Sequence, residues 1–200
     1  MCGITGFLST SPNFSFTQQH LQQLTNTLRH RGPDAEGYYF NSLYTQTSKP
    51  IQVGLGHRRL SIIDLSDAAN QPFTSANSRY VMVFNGEVYN YKELAQRYHL
   101  SCHTQSDTEV IVELFALLGA DFVQQLNGMF SIVIYDTQTQ QLHLYRDRLG
   151  IKPLYYFFDG SMFVFASELK ALLALPHLKQ QLSINNQAVT HFLYNRLVAK

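Results

Sequence analysis

The sequence predicts an α+β domain in which antiparallel β-sheets are layered with α-helices. Segments with strand character follow one another closely, and the polar turns 137–140 and 159–160 separate two pairs of them. Segments with helical periodicity lie between or outside these clusters, which argues against alternating βαβ units. The chain also contains 14 Phe and 12 Tyr but no Trp, and aromatic residues favour the half-buried surface of a sheet.

The first half of the chain is predicted to be mainly strands around one helix. Leu21, Leu24 and Leu28 recur three and four residues apart, and Thr17 is a suitable N-cap, so 17–29 is predicted as a helix. The other predicted elements are a strand over 1–8, a loop over 30–37, strands over 38–46 and 51–62 (the latter bent at Gly54 and Gly56), a polar loop over 64–78, and a strand over 79–84 that ends at Asn85-Gly86.

The second half alternates short helices with closely spaced strands. Its predicted helices cover 91–98, 107–118, 121–126, 167–173 and 185–197. Its predicted strands cover 99–104, 129–136, 141–146, 154–158 and 162–166.

Composition excludes several classes of function. The net charge of +1 gives no reason to expect binding to nucleic acid or to an anionic membrane. The two cysteines form neither a disulfide framework nor zinc-ligand spacing, so no metal site is predicted. No signal peptide and no apolar run of about 20 residues is present. We therefore expect a protein of the cytoplasm, a reducing compartment.

Cys2 is the first candidate catalytic residue. Removal of Met1 would leave a cysteine with both a thiol and a free α-amino group, whose reference pKa of about 7.7–8.0 suits a general base. One residue would then supply both the nucleophile and its base. Taken alone, a small residue tolerated in a first strand is an equally simple interpretation.

Three further motifs contain groups that would suit one small ligand. Asn85-Gly86 offers an amide side chain and a backbone N–H for an oxyanion hole, although Asn-Gly is also a common hairpin turn. Arg58 and Arg59 are adjacent in an apolar strand, so one of them points the way the core residues point and needs a carboxylate from the protein or from a ligand. Asp107 opens a helix, where it is either a cap or a partner for a ligand amine. A ligand that offers a carboxylate to the arginine, an amine to Asp107 and an amide to the thiol and the oxyanion hole would match glutamine.

Nine short sequence blocks, which follow one another in a particular order, carry a family resemblance. The blocks are MCGITGF (1–7), RHRGPD (29–34), GHRRLSIIDLS (56–66), QPF (71–73), FNGEVYNY (84–91), SDTEVI (106–111), NGMFSIVIYD (127–136), RDRLGIKPLYY (146–156) and FASELKALL (165–173). With them the chain resembles the class II, N-terminal-nucleophile glutamine amidotransferases, and among these the glutaminase domain of glutamine-hydrolysing asparagine synthetases. The resemblance implies a four-layer αββα sandwich of the Ntn-hydrolase type.

The resemblance also implies residue roles. Cys2 attacks the glutamine amide, and Asn85 with the Gly86 backbone holds the oxyanion. Arg59 pairs with the α-carboxylate, and Arg58 lies on the opposite strand face. The remaining implied contacts are backbone groups of Leu60, Ser61, Ile62 and Ile63 around the substrate, and Glu87 and Asp107 on the α-ammonium group.

A synthetase of this kind needs a second domain. The resemblance implies a glutaminase domain over 2–184, while 185–200 begins a linker or helix towards a C-terminal synthetase domain that receives the ammonia. ATP and Mg²⁺ belong to that domain, whose Ser-Gly-Gly-x-Asp loop is not found in the sequence; no cofactor is expected in 2–184. We expect a piece of a longer protein rather than a stand-alone subunit, with a homodimer possible. Alternatives are a related enzyme that amidates another acceptor, and a non-catalytic module that retains the fold.

Overall fold

The computed structural model describes residues 1–43 and 50–196. The strands are β1 (Gly3–Ser9), β2 (Ala35–Leu43), β3 (Ile51–Arg59), β4 (Phe73–Thr74), β5 (Tyr80–Val88), β6 (Gly128–Asp136), β7 (Gln141–Arg146), β8 (Tyr155–Phe158) and β9 (Met162–Ala166). The α-helices are α1 (Gln18–Asn26), α2 (Tyr91–Arg97), α3 (Asp107–Leu118), α4 (Leu169–Leu173), α5 (Pro176–Gln181) and α6 (Asn186–Asn195). Two 3₁₀ helices cover Asp67–Ala69 and Gly119–Gln125.

The strands form two antiparallel sheets. The first has the order β2-β3-β1-β9-β8 and the second the order β4-β5-β6-β7. Strand β1 is central in the first sheet, where it pairs with β3 from Gly3 to Ser9 and with β9 from Thr5 to Ser9. The residue before this strand, Cys2, is therefore held at the end of a strand that pairs with β3 over its whole length.

Three separate apolar clusters define four layers. One lies between the two sheets and includes Ile4, Leu55, Val83 and Val133. The second packs α1 and α4 on the outer face of the first sheet, and the third packs α2 and α3 on the outer face of the second sheet. The predicted sandwich of two antiparallel sheets between helices is therefore confirmed.

Local sequence explains how the first helix begins and which face it buries. Thr17 is the N-cap of α1, and its side chain accepts the N–H of His20. Leu21, Leu24 and Leu28 are fully buried, as their spacing predicted. No helix among residues 1–43 and 50–196 is long and apolar enough to cross a membrane.

Two strands differ from prediction where tertiary pairing decides. Strand β3 ends at Arg59 rather than at 62, and it pairs without interruption through Gly54 and Gly56. Those glycines are required because a Cβ at Gly54 would lie 2.5 Å from the Phe7 ring and one at Gly56 would meet the Thr25 hydroxyl. Strand β5 continues through Asn85-Gly86 to Val88 because β6 pairs with its whole length, which excludes the hairpin turn.

The predicted strand over 99–104 is also wrong. This segment is irregular, and the Glu109 carboxylate accepts the N–H groups of His103 at 2.9 Å and Thr104 at 2.7 Å. A side chain from α3 thus takes the place of a neighbouring strand.

Smaller differences concern the ends of elements. Strand β2 begins at Ala35, inside the predicted loop, and α4 begins at Leu169. The predicted helix over 121–126 is a 3₁₀ helix, and three elements were missed, namely β4, α5 and the 3₁₀ helix Asp67–Ala69. The ends of the predicted strand over 38–46 and helix over 185–197, and the last residues of 185–200, lie outside the described residues.

Candidate active site

A cavity of about 150 Å³ lies at the amino end of β1. Nine of the ten residues predicted from the sequence line it: Cys2, Arg59, Leu60, Ile62, Ile63, Asn85, Gly86, Glu87 and Asp107. Ser61 does not line the cavity; its N–H donates to the Asp34 carboxylate at 2.8 Å. A cavity of this volume matches a single small organic molecule.

Cys2 is fixed at the cavity by backbone contacts. Its Sγ accepts the N–H of Leu60 at 3.4 Å, and its own C=O accepts the Arg31 Nε–H at 2.9 Å. Arg31 in turn pairs with Glu168 at 2.9 Å. Burial raises the pKa of the Cys2 thiol, although the Leu60 N–H and the positive charge of the amino terminus act in the opposite direction. The thiol therefore needs a base before it can attack at neutral pH.

Strand β5 presents an edge without a neighbouring strand to the cavity. Strand β4 reaches only Val81 and Met82. Beyond them, the Phe84 N–H donates to the Gln71 side chain at 2.6 Å and the Val88 N–H to Asp107 Oδ2 at 3.0 Å. N–H groups two residues apart on a strand point the same way, so the Gly86 N–H lies on this edge, between two groups that side chains already hold. Gly86 itself lines the cavity.

The Asn85 side chain has no protein partner among the described residues. Asn85 is 1% exposed, and neither its amide nitrogen nor its amide oxygen makes a hydrogen bond. An unpaired buried amide is costly, so it indicates a place for a ligand atom. Together with the Gly86 N–H it provides two donors beside Cys2, which suits a tetrahedral oxyanion.

Gly86 is required by packing against β6. A Cβ at this position would meet the Met129 carbonyl and would lie 2.7 Å from Phe130 Cα. The absence of a side chain at Gly86 thus allows the close approach of the neighbouring strand.

Arg59 is a buried cation that faces neutral oxygens. It is 7% exposed, and its guanidinium donates to the Ser66 carbonyl and the Asn70 amide oxygen, each at 2.7 Å, and to the Asp64 carbonyl. Within 1–43 and 50–196, no carboxylate forms an ion pair with it. An anionic ligand is thus the missing partner that its charge calls for.

The two acids differ in burial. Asp107 is 5% exposed and accepts the Val88 N–H, and burial raises its pKa from 3.8 to about 6. The N-cap of α3 is Ser106, whose hydroxyl accepts the Thr108 N–H at 3.1 Å, so the cap interpretation of Asp107 is wrong. Glu87 is half-buried at the cavity wall. Both carboxyl groups are available to a cationic ligand group.

Sequence reasoning missed three residues that build the site. Gln71 holds the Phe84 N–H, and Asp34 holds the loop that follows Arg59. Lys152 is 5% exposed, lines the cavity, and places its Nζ 3.2 Å from Met1 Sδ. All three lie in blocks that carry the family resemblance, but single polar residues outside periodic segments give no signal of their own.

Other reactive side chains lie elsewhere. Cys102 does not line the cavity, and burial raises the pKa of its thiol to about 11, with help from Glu109 and Glu113. Among the residues that the structure describes, no group of three or more His, Cys, Asp or Glu could hold a metal ion.

Comparison with known proteins identifies the family. The family model of the glutamine amidotransferase domain matches residues 1–200. The chain is 36% identical over 203 aligned positions to the putative asparagine synthetase [glutamine-hydrolyzing] 2 of Methanocaldococcus jannaschii, covering 94% of this chain and 38% of the relative. It is 40% identical over 184 positions to asparagine synthetase [glutamine-hydrolyzing] 2 of Bacillus subtilis, covering 90% of this chain and 23% of the relative. The chain thus spans less than two fifths of the length of these relatives.

A solved structure shares the fold. It is the glutamine phosphoribosylpyrophosphate amidotransferase of Bacillus subtilis, with a TM-score of 0.68 and 22% identity over 86% of this chain and 43% of that one. The similarity supports the assignment of the two-sheet architecture.

Proposed function

The chain belongs to the glutamine amidotransferase domain family, and on that premise we propose that it hydrolyses L-glutamine to glutamate and ammonia at Cys2. The observation that carries this proposal is the convergence on one cavity of a thiol, a buried amide and a buried arginine, of which the last two have no side-chain hydrogen-bond partner and no ion-pair partner, respectively, in the part of the chain that the structure describes. These groups complement the side-chain amide and the α-carboxylate of glutamine.

The proposed reaction begins once Met1 is removed. The α-amino group of Cys2 takes the thiol proton, and Sγ attacks the side-chain carbonyl carbon. The Asn85 amide N–H and the Gly86 N–H hold the resulting oxyanion. The amine then returns the proton to the leaving nitrogen, so ammonia departs and a γ-glutamyl thioester remains. Water adds to the thioester, glutamate leaves and the thiol is restored.

Charge complementarity orients the substrate. Arg59 pairs with the α-carboxylate, while Asp107 and Glu87 take the α-ammonium group. Leu60, Ile62 and Ile63 form the wall beside Arg59, and Ser61 is held behind them by Asp34. A substrate that lacks either charged group would leave a buried charge without its partner.

The use of the ammonia is the wider part of the proposal. We propose that it serves ATP-dependent synthesis of asparagine from aspartate in a C-terminal synthetase domain, which would hold ATP and Mg²⁺. Sequence similarity to longer glutamine-hydrolysing asparagine synthetases supports this assignment. A reducing compartment such as the cytoplasm fits a free thiol nucleophile.

The test combines intact mass with a glutaminase assay. Protein that lacks Met1 should release glutamate and ammonia from glutamine, and Cys2→Ala should abolish the release while the melting temperature stays within a few degrees. Cys102→Ala is the matched control and should keep the activity. A diazo-ketone glutamine analogue should alkylate Cys2 and spare Cys102. Activity retained in the Cys2→Ala protein would reject the nucleophile assignment.

A further inference from the structure

His57 is a buried titratable residue that the proposed reaction does not use. It lies in β3, opposite Ile4 of β1 and Gly37 of β2, and it is 1% exposed. The strand that carries it continues to Arg59 at the cavity. His57 itself does not line the cavity.

The imidazole connects the two sheets. Its Nε2–H donates to the Phe84 carbonyl in β5 at 3.2 Å. Because a carbonyl only accepts, the neutral ring carries its proton on Nε2, and this tautomer is inferred from the hydrogen bond. The other nitrogen, Nδ1, is buried without a partner among the described residues.

An apolar residue of similar size would remove the unpaired Nδ1 acceptor, but it would also leave the buried Phe84 carbonyl without the donor that His57 supplies. The position therefore calls for a fixed hydrogen-bond donor. Proton transfer is not the role of this residue. Burial lowers the pKa of His57 from 6.5 to about 3, so the ring stays neutral and acts as a fixed donor at ordinary pH.

The Phe84 carbonyl belongs to the peptide group that leads into Asn85. On the free edge of β5, the Phe84 N–H is held by Gln71 and the Phe84 C=O by His57. A neighbouring strand would normally hold both groups, but β4 pairs with this edge only at Val81 and Met82. Two side chains thus replace a missing strand immediately before Asn85.

We propose that His57 is a positioning residue for the oxyanion hole, holding the Phe84–Asn85 peptide plane so that the Asn85 amide and the Gly86 N–H converge on one point. The inference rests on the proposed function. A small rotation of this peptide would swing the Asn85 side chain, and displacements of about 1 Å are enough to lower a rate about 100-fold.

A matched set of variants tests the contact. His57→Gln places an amide N–H as many bonds from the backbone as Nε2, and its second N–H and its carbonyl oxygen take no part in the bond to Phe84. His57→Met has the same length without a donor. His57→Asn has the donor one bond too short. Only the glutamine variant should therefore restore the hydrogen bond to Phe84.

We expect His57→Met and His57→Asn to lower kcat for glutamine hydrolysis by about 10- to 100-fold, with less than about a threefold change in KM. His57→Gln should stay within about fivefold of the parent kcat. The shape of the pH–rate profile should be the same in all active variants, because His57 carries no proton in the reaction. Hydrogen exchange over 84–88 should be faster in His57→Met than in His57→Gln.

Two results would overturn the inference while leaving the proposed function intact. In the first, the parent is active, and His57→Met has the same kcat and the same hydrogen exchange over 84–88 as His57→Gln. The other is an equal loss of kcat in the Gln and Met variants. A parent protein without Met1 that does not hydrolyse glutamine would reject the proposed function itself, and the catalytic role of His57 with it.

Discussion

Arg58 and Arg59 are adjacent on β3, but their guanidinium groups have different kinds of partner. Arg58 forms an ion pair with Glu36 and donates to the side-chain carbonyl of Asn26. Arg59 reaches the other side of the strand, where it contacts two backbone carbonyls and the amide of Asn70. One arginine therefore has its counter-charge within the protein, and the other is available to a ligand.

This difference predicts separate effects for the two arginines. Arg59→Ala should raise KM for glutamine by about 30-fold or more, because truncating one partner of a buried charge pair costs about 2–5 kcal/mol. Arg59→Lys should recover little, since an ammonium does not reproduce the bidentate geometry. Arg58→Ala is the control: it should lower the melting temperature and leave KM nearly unchanged. Equal KM values for the two alanine variants would move the carboxylate contact away from Arg59.

The Asn85 side chain is expected to raise kcat without adding to the stability of the fold. Asn85→Ala should lower kcat by about 100- to 1,000-fold, as loss of an oxyanion donor does. The melting temperature should not fall, because the substitution removes two buried polar atoms that have no partner. Asn90→Ala is the comparison, since the Asn90 amide donates to the Gln125 carbonyl and accepts the Asn127 N–H. Asn90→Ala should lose stability while its kcat is retained. If instead Asn90→Ala lost kcat and Asn85→Ala lost stability, the assignment of Asn85 as an oxyanion donor would be contradicted.

The raised pKa of Asp107 predicts that the stability of the fold depends on pH. Because burial raises its pKa from 3.8 to about 6, the folded state holds the proton more tightly than the unfolded state does. Stability from this group is complete below pH of about 4 and is lost as the pH rises through about 6. With about 1.4 kcal/mol per pKa unit, Asp107→Asn should be more stable than the parent by up to about 3 kcal/mol at pH 7.5, and equal to it near pH 4.

Glutamine should make the parent more stable than Asp107→Asn at pH 7.5 if the charged Asp107 carboxylate binds the α-ammonium group of the ligand. Thermal denaturation with and without glutamine, at pH 5 and pH 7.5, measures both effects; Cys2→Ala serves as the parent here, so that the ligand is not hydrolysed. The ligand should raise the melting temperature of the parent more at pH 7.5 than at pH 5, and that of Asp107→Asn by little at either. A stability difference between parent and variant that is the same at both pH values would contradict the burial argument.

Gly86 should not tolerate even one added methyl group. In Gly86→Ala the new Cβ would meet the Met129 carbonyl and Phe130 Cα, both backbone atoms of β6. Strands β5 and β6 would have to separate, at a cost of about 1–3 kcal/mol or more. Chemical denaturation measures this loss. A variant of parental stability would show that β6 can shift, and its kcat would then report on the oxyanion hole alone.

Sequence reasoning succeeded where a local pattern and its tertiary partner agree. Helix α3 was predicted to the residue, because apolar spacing and a polar start coincide in one segment. It failed where a distant partner overrides a local signal. Asn85-Gly86 favours a hairpin turn, yet nine residues of β5 pair with β6, and that pairing continues the strand through the dipeptide.

Most of the candidate site was predictable because its residues lie in recognisable blocks. The residues that support the site from outside these predictions, such as Gln71 and Lys152, were not predictable. Gln71 acts through a hydrogen bond to a strand 13 residues away, and Lys152 reaches the amino terminus across 151 residues of sequence. Such contacts depend on tertiary structure, and neither periodicity nor residue type encodes that arrangement locally.

The position of Cys2 at the end of the central strand also limits how the domain can be joined to others. Chain termini usually fray, but this one is anchored, because β1 pairs with β3 from Gly3 onward and with β9 from Thr5 onward. If the free amine of Cys2 is the catalytic base, any tag, leader or fused module ahead of it must be cleaved off before the enzyme can work. Evolution and engineering alike would then add new modules permanently at the carboxyl end alone.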